Sequence, residues 1–324
     1  MSEKLKEIGE REIIDRLRKR FRLKTPQDDC AIFEDGDSYW MITTDVMNFK
    51  THIPKGTTPE LAGNYFVNSN LSDIAAMAGK PESFMTAYSM NPNTDYEFLE
   101  KFETGVIRAL KKFDCDFAGG DLKEGEGLTM TGIATGRQKK NLTRKRSDIS
   151  SDQIIGVTNT LGRSGSGYVF YEHKYRIPSA LKMILDIKPR IREAQIISEH
   201  GGKFMMDLSD GLASSMRQMK HDYGVGFRIV QEEIPVAAEV KKAVSLSGRP
   251  ETDFTLGFGG DYELLFSIDN RNYSDFMNAM EAEKLTVSFI GEAWKGDNIV
   301  YDGSSWVGLK QHGYEHFRKH GFPI

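Results

Sequence analysis

The sequence predicts an α/β fold of two domains, and three observations lead to that prediction. The 324 residues are enough for two domains at roughly 150 residues each. Short apolar runs typical of strands alternate with longer segments whose apolar residues recur every three or four positions, as in helices. Aspartates beside glycines follow several of the strand-like runs, where open α/β sheets bind ligands. We therefore predict domains at 1–140 and 141–324 with an acidic ligand site.

The composition is that of an ordinary globular protein and excludes several classes. A charged fraction of 28% and a net charge of -4 give no electrostatic footprint for nucleic acid. No stretch approaches the roughly 20 apolar residues of a membrane span, and the charged amphipathic N-terminus does not resemble a signal peptide. Cys30 and Cys115 lack metal-type spacing and fit a reducing compartment. We expect a cytoplasmic protein that binds neither nucleic acid nor membranes.

A helix from Thr58-Pro59 to Gly79 is the central element of the predicted N-terminal domain. Thr58 is a cap residue, Pro59 suits the first helical position, and Gly79-Lys80-Pro81 ends the segment. An apolar stripe that should pack on a sheet is formed by Leu71, Ile74, Ala75 and Ala78. Asn70 and Asp73 lie three residues apart and therefore share a different face. An amide and a carboxylate on such an apolar helix indicate a ligand.

The strands before this helix also carry carboxylates. After an N-terminal helix, Asp28 and Asp29 precede a strand that begins at Cys30. A second strand, at 39–45, ends at Asp45. We expect these acids to lie near Asp73.

Beyond the central helix we predict a strand at 84–90, a helix at 95–112 and a strand at 113–118. The last strand runs into Gly119-Gly120-Asp121, where two glycines would let backbone amides approach a ligand beside a carboxylate. The alternating segment at 128–135 completes the N-terminal sheet.

The second domain repeats the alternation of strands and helices. The glycine-rich loop at 161–167 fits neither the P-loop pattern nor the dinucleotide fingerprint, so alone it is weak evidence for phosphate binding. Asp207 ends a short strand, and Ser209-Asp210-Gly211 begins a helix. Gly259-Gly260-Asp261 again places an acid beside glycines, ahead of another strand.

The acids could hold a divalent cation. The candidates are Asp28, Asp29, Asp45, Asp73, Asp121, Asp207 and Asp210. Such carboxylates cannot all ionise close together without a counter-charge, because repulsion raises their pKa values. Oxygen ligands without histidine or cysteine favour magnesium. For any single acid, the alternative is a helix cap or a solvent-facing loop residue.

Two basic features have two interpretations each. The run from Arg137 to Arg146 could steer a phosphate-bearing ligand or be a solvated linker between the domains. His52 could contact a substrate phosphate or lie on the surface. No serine, histidine and aspartate set suggests a hydrolase triad.

Seven distinct motifs follow one another along nearly the whole chain. They are Asp28-Asp29-Cys30-Ala31, Thr43-Thr44-Asp45, Asn70-Leu71-Ser72-Asp73-Ile74-Ala75-Ala76-Met77, Gly119-Gly120-Asp121, Asp207-Leu208-Ser209-Asp210-Gly211-Leu212, Gly259-Gly260-Asp261-Tyr262-Glu263-Leu264 and Gly313-Tyr314-Glu315-His316-Phe317. In order and spacing they resemble the motifs of the thiamine-monophosphate kinases, which are relatives of aminoimidazole ribonucleotide synthetase. One such motif would be weak evidence, but seven in sequence are specific.

The resemblance implies an architecture and an activity. The fold would be the two-domain fold of aminoimidazole ribonucleotide synthetase, with N-terminal sheets paired in a homodimer. ATP would lie in a cleft of the N-terminal domain, closed by the partner and by the C-terminal domain. The reaction would move the γ-phosphoryl of ATP onto thiamine monophosphate, giving thiamine diphosphate and ADP. The alternatives are a relative with another acceptor and a non-catalytic ATP-binding homologue.

The resemblance also implies roles for individual residues. The seven aspartates above match the magnesium ligands, and Asp45, Asp121 and Asp210 are the predicted catalytic residues. The predicted nucleotide contacts are Asp28, Thr43, Thr44, Asn70, Gly119, Gly120, Asp121, Arg144 and Ser209. The predicted substrate contacts are His52, Asp261, Tyr262 and Tyr314. Because thiamine is an aromatic cation, its pocket should offer an aromatic face or an acid, and Trp294 is a further candidate.

The chain departs from the family pattern at two clear points. Gln27 stands where the first motif usually begins with glycine, and Gly260 stands where many members carry a glutamate before Asp261. These departures bear more on the thiamine side of the site than on the ATP side.

Overall fold

The computed structural model describes residues 3–24 and 27–317. The N-terminal segment forms two helices, α1 (Leu5–Ile8) and α2 (Glu10–Phe21). The sequence predicted one continuous helix here. The chain breaks at Gly9, whose φ of 92° lies in the region that only glycine adopts readily.

The first domain is a five-stranded sheet covered on one face by two long helices. Its elements in chain order are β1 (Ala31–Asp35), β2 (Ser38–Asn48), α3 (Phe49–His52), α4 (Pro59–Ala76), β3 (Lys80–Met90), α5 (Tyr96–Lys111), β4 (Asp116–Glu124) and β5 (Thr129–Lys139). The strand order is β1-β2-β5-β3-β4, and only β3 and β4 run parallel. The sequence predicted that Gly119-Gly120-Asp121 follows the end of a strand. The residues lie within β4 instead, because this strand extends to Glu124.

Helix α4 is buried on almost every side. Its start is fixed by Thr58, whose hydroxyl accepts a hydrogen bond from Leu61 N. Thirteen of its 18 residues are buried, which is typical of a helix packed between layers. The predicted apolar stripe divides between two cores. Leu71 and Ile74 pack in the core of the first sheet, whereas Ala75 and Ala78 pack against the second domain.

The second domain is a seven-stranded sheet with helices around it. Its elements in chain order are β6 (Ile154–Thr158), α6 (Arg163–Glu172), α7 (Ile177–Leu185), α8 (Ile191–Glu199), β7 (Gly202–Asp207), α9 (Leu212–Tyr223), β8 (Gly226–Val230), α10 (Val240–Ser247), β9 (Leu264–Ile268), α11 (Tyr273–Ala282), β10 (Val287–Trp294), β11 (Ile299–Tyr301) and β12 (Trp306–Gly308). The strand order is β12-β11-β8-β10-β6-β9-β7. A π-helical turn, Asp253–Gly257, precedes β9.

The two domains share a core and not only a linker. The predicted boundary at residue 140 falls between the two sheets, which end at Lys139 and begin at Ile154. Nevertheless, alanines of α4 join a buried cluster with Met205, Leu264 and Phe266 of the second domain. Helix α2 also crosses over, because the Arg11 guanidinium donates to Ser214 Oγ at 2.5 Å. In residues 3–24 and 27–317, no helix is long and apolar enough to span a membrane.

The contact between α4 and α5 requires glycine, which gives a test of the packing. A Cβ on Gly63 would lie 2.2 Å from Phe102 O, and the two helix backbones leave no room for it. Alanine is a better helix former than glycine by about 1 kcal/mol, but overpacking at such a contact costs about 1–3 kcal/mol. We expect Gly63→Ala to lower the free energy of unfolding in a urea titration.

Gly127→Ala is the matched control, because nothing lies within 4 Å of its added Cβ. Equal stability of the two variants would contradict the close helix contact.

Candidate active site

A cavity of about 290 Å³ lies where the two domains meet. Its walls come from the first domain, the second domain, helix α2 and the C-terminal segment. The lining residues are Glu10, Asp45, Val46, Met47, His52, Tyr65, Phe66, Ser69, Asp73, Ser164, Tyr168, Ile184, Asp207, Ser209, Asp210, Gly259, Gly260, Tyr262, Tyr314 and His316. Acids and aromatic rings therefore face the same space.

Three carboxylates from separate elements converge beside this cavity. One oxygen each of Asp29, Asp73 and Asp207 lies within 4.8 Å of the others. They come from the segment before β1, from α4 and from the end of β7. The sequence predicted that these acids would meet, and the fold brings them together across the domain boundary.

Neighbouring polar groups orient the acids. Thr43 Oγ1 donates to Asp73 Oδ2 at 2.5 Å, and Ser72 Oγ donates to Asp207 Oδ2 at 2.9 Å. The Asn70 amide oxygen accepts from Asp45 N at 3.2 Å, and this side chain is completely buried. Asn70 can lie against β5 because Gly132, which is opposite Asp45 in the sheet, has no Cβ. Thr43 therefore orients the Asp73 carboxylate and Asn70 fixes the backbone of Asp45, two roles separate from the predicted contacts with a nucleotide.

Burial and mutual repulsion raise the pKa values of these acids. Burial, followed by the charges of Asp45, Asp207 and Asp29, holds the pKa of Asp73 well above its ordinary value. Burial raises the pKa of Asp207 to about 7 and that of Asp210 to about 6. A bound cation would allow these carboxyls to ionise together near neutral pH. The arrangement fits a hard divalent cation, since all the donors are oxygens.

A buried arginine completes the cluster, and sequence reasoning missed it. Arg146 holds Asp29 through two hydrogen bonds, Nη2 to Oδ1 at 2.5 Å and Nε to Oδ2 at 3.0 Å. Its backbone N also donates to Asp28 Oδ2 at 3.2 Å. The Arg146 side chain is only 11% exposed. The basic run therefore ends inside the site. Its position at the junction of two predicted domains was the signal that could have indicated this.

Two other cations of the basic run pair with neighbouring acids. Arg137 pairs with Glu82 at 2.9 Å, and Lys140 pairs with Glu34 at 2.8 Å. The predicted phosphate contact, Arg144, donates from Nη2 to Ser198 O at 2.6 Å and does not line the cavity. The cation beside the acids is therefore Arg146, two residues after the one predicted.

Histidine and tyrosine side chains form the rest of the wall. His52 Nδ1 accepts a hydrogen bond from Asn48 N at 2.9 Å, so the neutral ring carries its proton on Nε2. Burial and the charge of His316 lower the pKa of His52, which favours that neutral form. Tyr65 and Tyr262 share a hydrogen bond of 3.0 Å between their hydroxyls.

The predicted residues His52, Tyr262 and Tyr314 therefore all line the cavity. Sequence reasoning gave no role to Glu10, Tyr65 or Tyr168, nor to His316, which lies in the seventh motif. The tyrosines sit on helices with ordinary apolar spacing, so their pattern resembled that of core residues. Glu10 lies in a distant N-terminal helix that only the fold brings to the site.

The structure does not bring Asp121 to the other acids within one chain. Asp121 lies opposite Ala87 on the face of the sheet away from α4, whereas Asp45 is on the α4 side. Strands β3 and β5 separate the two, a distance of roughly 14 Å at the usual strand spacing. Gly119 and Gly120 share this strand, and Thr44 is likewise exposed on the outer face.

Two further predicted substrate contacts have other roles in the structure. The Asp261 carboxylate accepts hydrogen bonds from Gly162 N at 2.6 Å and Ser164 N at 2.8 Å. It therefore caps α6 and is absent from the cavity wall. Trp294 donates from Nε1 to Asp297 O at 2.8 Å and stacks on Arg228, also outside the cavity. The Asp28 carboxylate accepts a hydrogen bond from Asp29 N at 3.1 Å. Ser209 lines the cavity and donates from Oγ to Asp207 Oδ1 at 3.3 Å.

Family models match both domains. The N-terminal domain of AIR synthase related proteins matches residues 27–138, and the corresponding C-terminal domain matches residues 151–303. This chain belongs to the AIR synthase related family. The fold class predicted from the sequence is confirmed.

The relatives also confirm the resemblance stated from the motifs. The thiamine-monophosphate kinase of Aquifex aeolicus (strain VF5) is 27% identical over 318 residues, covering 97% of this chain and 100% of the relative. That of Pyrococcus horikoshii is 29% identical over 293 residues, covering 90% of each chain.

Solved structures agree with this assignment. AaThiL complexed with AMPPCP and TMP has a TM-score of 0.87 and 25% identity, covering 98% of this chain and 99% of its own. E. coli HypE, a hydrogenase maturation protein, has a TM-score of 0.73 at 16% identity, covering 97% of this chain and 99% of its own. The second match shows the shared fold alone.

The raised pKa of Asp207 predicts a stability that depends on pH in metal-free protein. The folded state keeps the proton up to about pH 7, whereas the unfolded state loses it near the ordinary value of 3.8. The wild type should therefore lose stability as the pH rises from about 4 to about 7. Asp207→Asn lacks this loss, so its melting temperature relative to the wild type should rise across that range.

The measurement is thermal unfolding in chelator at several pH values, repeated with magnesium. Magnesium should stabilise the wild type more than Asp207→Asn at pH 7.5. Parallel pH curves for the two proteins would contradict the assigned cause.

Proposed function

We propose that this chain is a thiamine-monophosphate kinase, which transfers the γ-phosphoryl of ATP to thiamine monophosphate and releases thiamine diphosphate and ADP. The observation that carries the proposal is the meeting of three carboxylates within 4.8 Å beside a cavity walled by tyrosines. The full-length likeness to thiamine-monophosphate kinases, and to AaThiL complexed with AMPPCP and TMP, supports the same reaction.

The acids suit magnesium as the companion of ATP. Asp29, Asp73 and Asp207 would hold it, with Asp45 and Asp210 nearby on the cavity wall. When bound, magnesium would neutralise phosphate charge, which is the main obstacle to transfer between two polyanions. Burial of Asp207, which is 4% exposed, makes its charge effective because little water screens it.

Positioning is the main task left to the protein. The acceptor phosphate has a second pKa of about 6, so it is largely ionised near neutral pH and needs no general base. The neutral His52 ring can donate its Nε2 proton to a phosphate oxygen, because Asn48 N occupies Nδ1. Arg146 keeps Asp29 in place through two hydrogen bonds. Transfer then requires only that the two phosphates lie in line.

The tyrosine wall fits the acceptor's cationic ring. Tyr65 and Tyr262 meet at 85° with 6.0 Å between their ring centroids, and Tyr314 lies on the same cavity. Aromatic faces attract a flat organic cation, more strongly when water is excluded. Glu10 adds a carboxylate to this cavity, and its negative charge would further favour a cationic acceptor.

A homodimer paired through the N-terminal sheets accounts for two surface features. On the sheet face away from α4, Phe33 is 53% exposed, Val46 58% and Met85 43%, and such apolar surface is typical of an interface. Asp121 lies on this face as well, which would place it at the partner's site.

The two buried free cysteines, Cys30 and Cys115, support a reducing, cytoplasmic setting.

The decisive experiment measures ADP and thiamine diphosphate from ATP and magnesium, with and without thiamine monophosphate. We expect thiamine diphosphate only when both substrates are present, and its loss in chelator. ATP binding without this product would contradict the proposal and indicate another acceptor or a non-catalytic role.

Mixed dimers test whether Asp121 acts in the partner's site. Asp73→Asn and Asp121→Asn should each be folded and inactive. Half of the randomly mixed dimers would contain both variants, each with one intact site, so the mixture should regain about one quarter of wild-type activity.

Mixing Asp73→Asn with Asp207→Asn is the matched control, because both residues belong to one chain's cluster. Each chain in that mixture carries a damaged site, so we expect no recovery of activity. Recovery would mean that Asp73 and Asp207 serve different sites. An active Asp121→Asn protein would rule out a catalytic role for this residue.

A further inference from the structure

Ser164 is a buried hydroxyl on the cavity wall that lacks a hydrogen-bond partner. It is 1% exposed, and no described residue lies in hydrogen-bonding position to its Oγ. A buried hydroxyl without a partner is destabilising, so such a group in a native protein requires an explanation, and a ligand that completes the hydrogen bond is one. Ser164 lines the same cavity as the acids and the tyrosines.

The backbone around Ser164 is firmly held, which leaves the hydroxyl as the free polar group. Its N donates to the Asp261 carboxylate at 2.8 Å, which caps α6. Ser166, two residues later on the same helix, instead donates from Oγ to Gly162 O at 2.7 Å. Ser164 lies in the first turn of α6, where no preceding turn of the helix offers a carbonyl, so its hydroxyl lacks the local partner that Ser166 has.

The surroundings of Ser164 suit an uncharged polar group on an aromatic ring. Tyr168 follows one helical turn later and lines the same cavity, as does Ile184. Arg163, the adjacent cation, donates to Met183 O and is not among the lining residues. A phosphate would therefore find no positive side chain here.

Gly260 leaves space beside this hydroxyl that a side chain would fill. A Cβ on Gly260 would lie 2.7 Å from Ser164 Oγ, closer than a carbon and a hydroxyl can approach without moving. Gly260 also lines the cavity, with a φ of 86°. Any other residue at 260 would crowd the hydroxyl from the cavity side.

We propose that Ser164 Oγ accepts a hydrogen bond from the amino group on the pyrimidine ring of the acceptor and so selects aminopyrimidine compounds. This inference rests on the proposed function, since the acceptor is thiamine monophosphate. With its phosphate at the acids, the other end of the molecule presents a flat aromatic pyrimidine ring whose amino group can donate a hydrogen bond. Ser164 beside Tyr168 matches that combination.

The test compares Ser164→Ala with Ser166→Ala in turnover, binding and stability. Ser164→Ala should raise KM for thiamine monophosphate by about tenfold, the effect of one lost hydrogen bond, and leave KM for ATP unchanged. Its melting temperature should stay equal to that of the wild type or rise, because no protein hydrogen bond is lost. Ser166→Ala should show the reverse, a lower melting temperature with unchanged KM.

An analogue without the ring amino group identifies the bonded atom. The wild type should bind desamino-thiamine monophosphate about tenfold more weakly than thiamine monophosphate, and Ser164→Ala should bind the two within about twofold of each other. Calorimetry with magnesium and a non-hydrolysable ATP analogue gives these Kd values without turnover. A failed kinase assay with this binding pattern would overturn only the proposed function.

Wild-type affinity and selectivity in Ser164→Ala would overturn the proposal. A weakened affinity with unchanged selectivity would overturn the amino-group assignment. A lowered melting temperature with unchanged Kd would assign Ser164 a structural role instead.

Discussion

Crowding of buried negative charge is the constraint on which the rest of this structure depends. Asp29, Asp73 and Asp207 place oxygens within 4.8 Å of one another, and burial removes the water that would screen them. Two carboxylates at 4 Å repel by about 4 kcal/mol at the effective dielectric constant of a protein surface, and by more inside. The fold tolerates this because each acid has a partner: Arg146 for Asp29, Thr43 for Asp73 and Ser72 for Asp207. These partners lower the cost in the protein alone, and each carboxylate oxygen keeps a second lone pair that a cation can use.

Helix α4 links this local constraint to the whole architecture. It supplies Asp73 to the cluster and Ser72 to Asp207, so consecutive residues of one helix serve acids of both domains. This is possible only because α4 is buried between the two sheets, with leucine and isoleucine on one side and alanines on the other. A slide of one domain along α4 would separate Ser72 from Asp207. The small alanine side chains permit the close packing that keeps the two domains in register.

The sequence could propose that Asp29, Asp73 and Asp207 meet because their positions have a physical explanation that a pattern can show. Carboxylates at strand ends, and an amide and carboxylate on an apolar helix, are unusual enough to stand out. Tyr65 and Tyr168 could not be distinguished from core aromatics, since a helix spaces both kinds alike. Arg146 was hidden in a basic run in which Arg137 and Lys140 pair with acids, and only the three-dimensional position of Asp29 identifies the buried arginine. Asp261 was misleading for a related reason: an acid beside glycines can cap a helix as readily as bind a ligand.

The cavity also depends on the two ends of the chain. Glu10 N donates to His316 O at 3.2 Å, and Arg11 N donates to the Glu315 carboxylate at 3.3 Å. These bonds join helix α2 to the C-terminal segment at the edge of the cavity, where Glu10 and His316 both line the wall. His316 in turn lies 5.8 Å from His52 between ring centroids. This part of the cavity wall is therefore assembled from segments about 300 residues apart in sequence, which no local pattern could have predicted. Negative charge is crowded here as it is in the acid cluster, because Glu10 repels Asp45 and Asp210. A cationic ligand would relieve that repulsion.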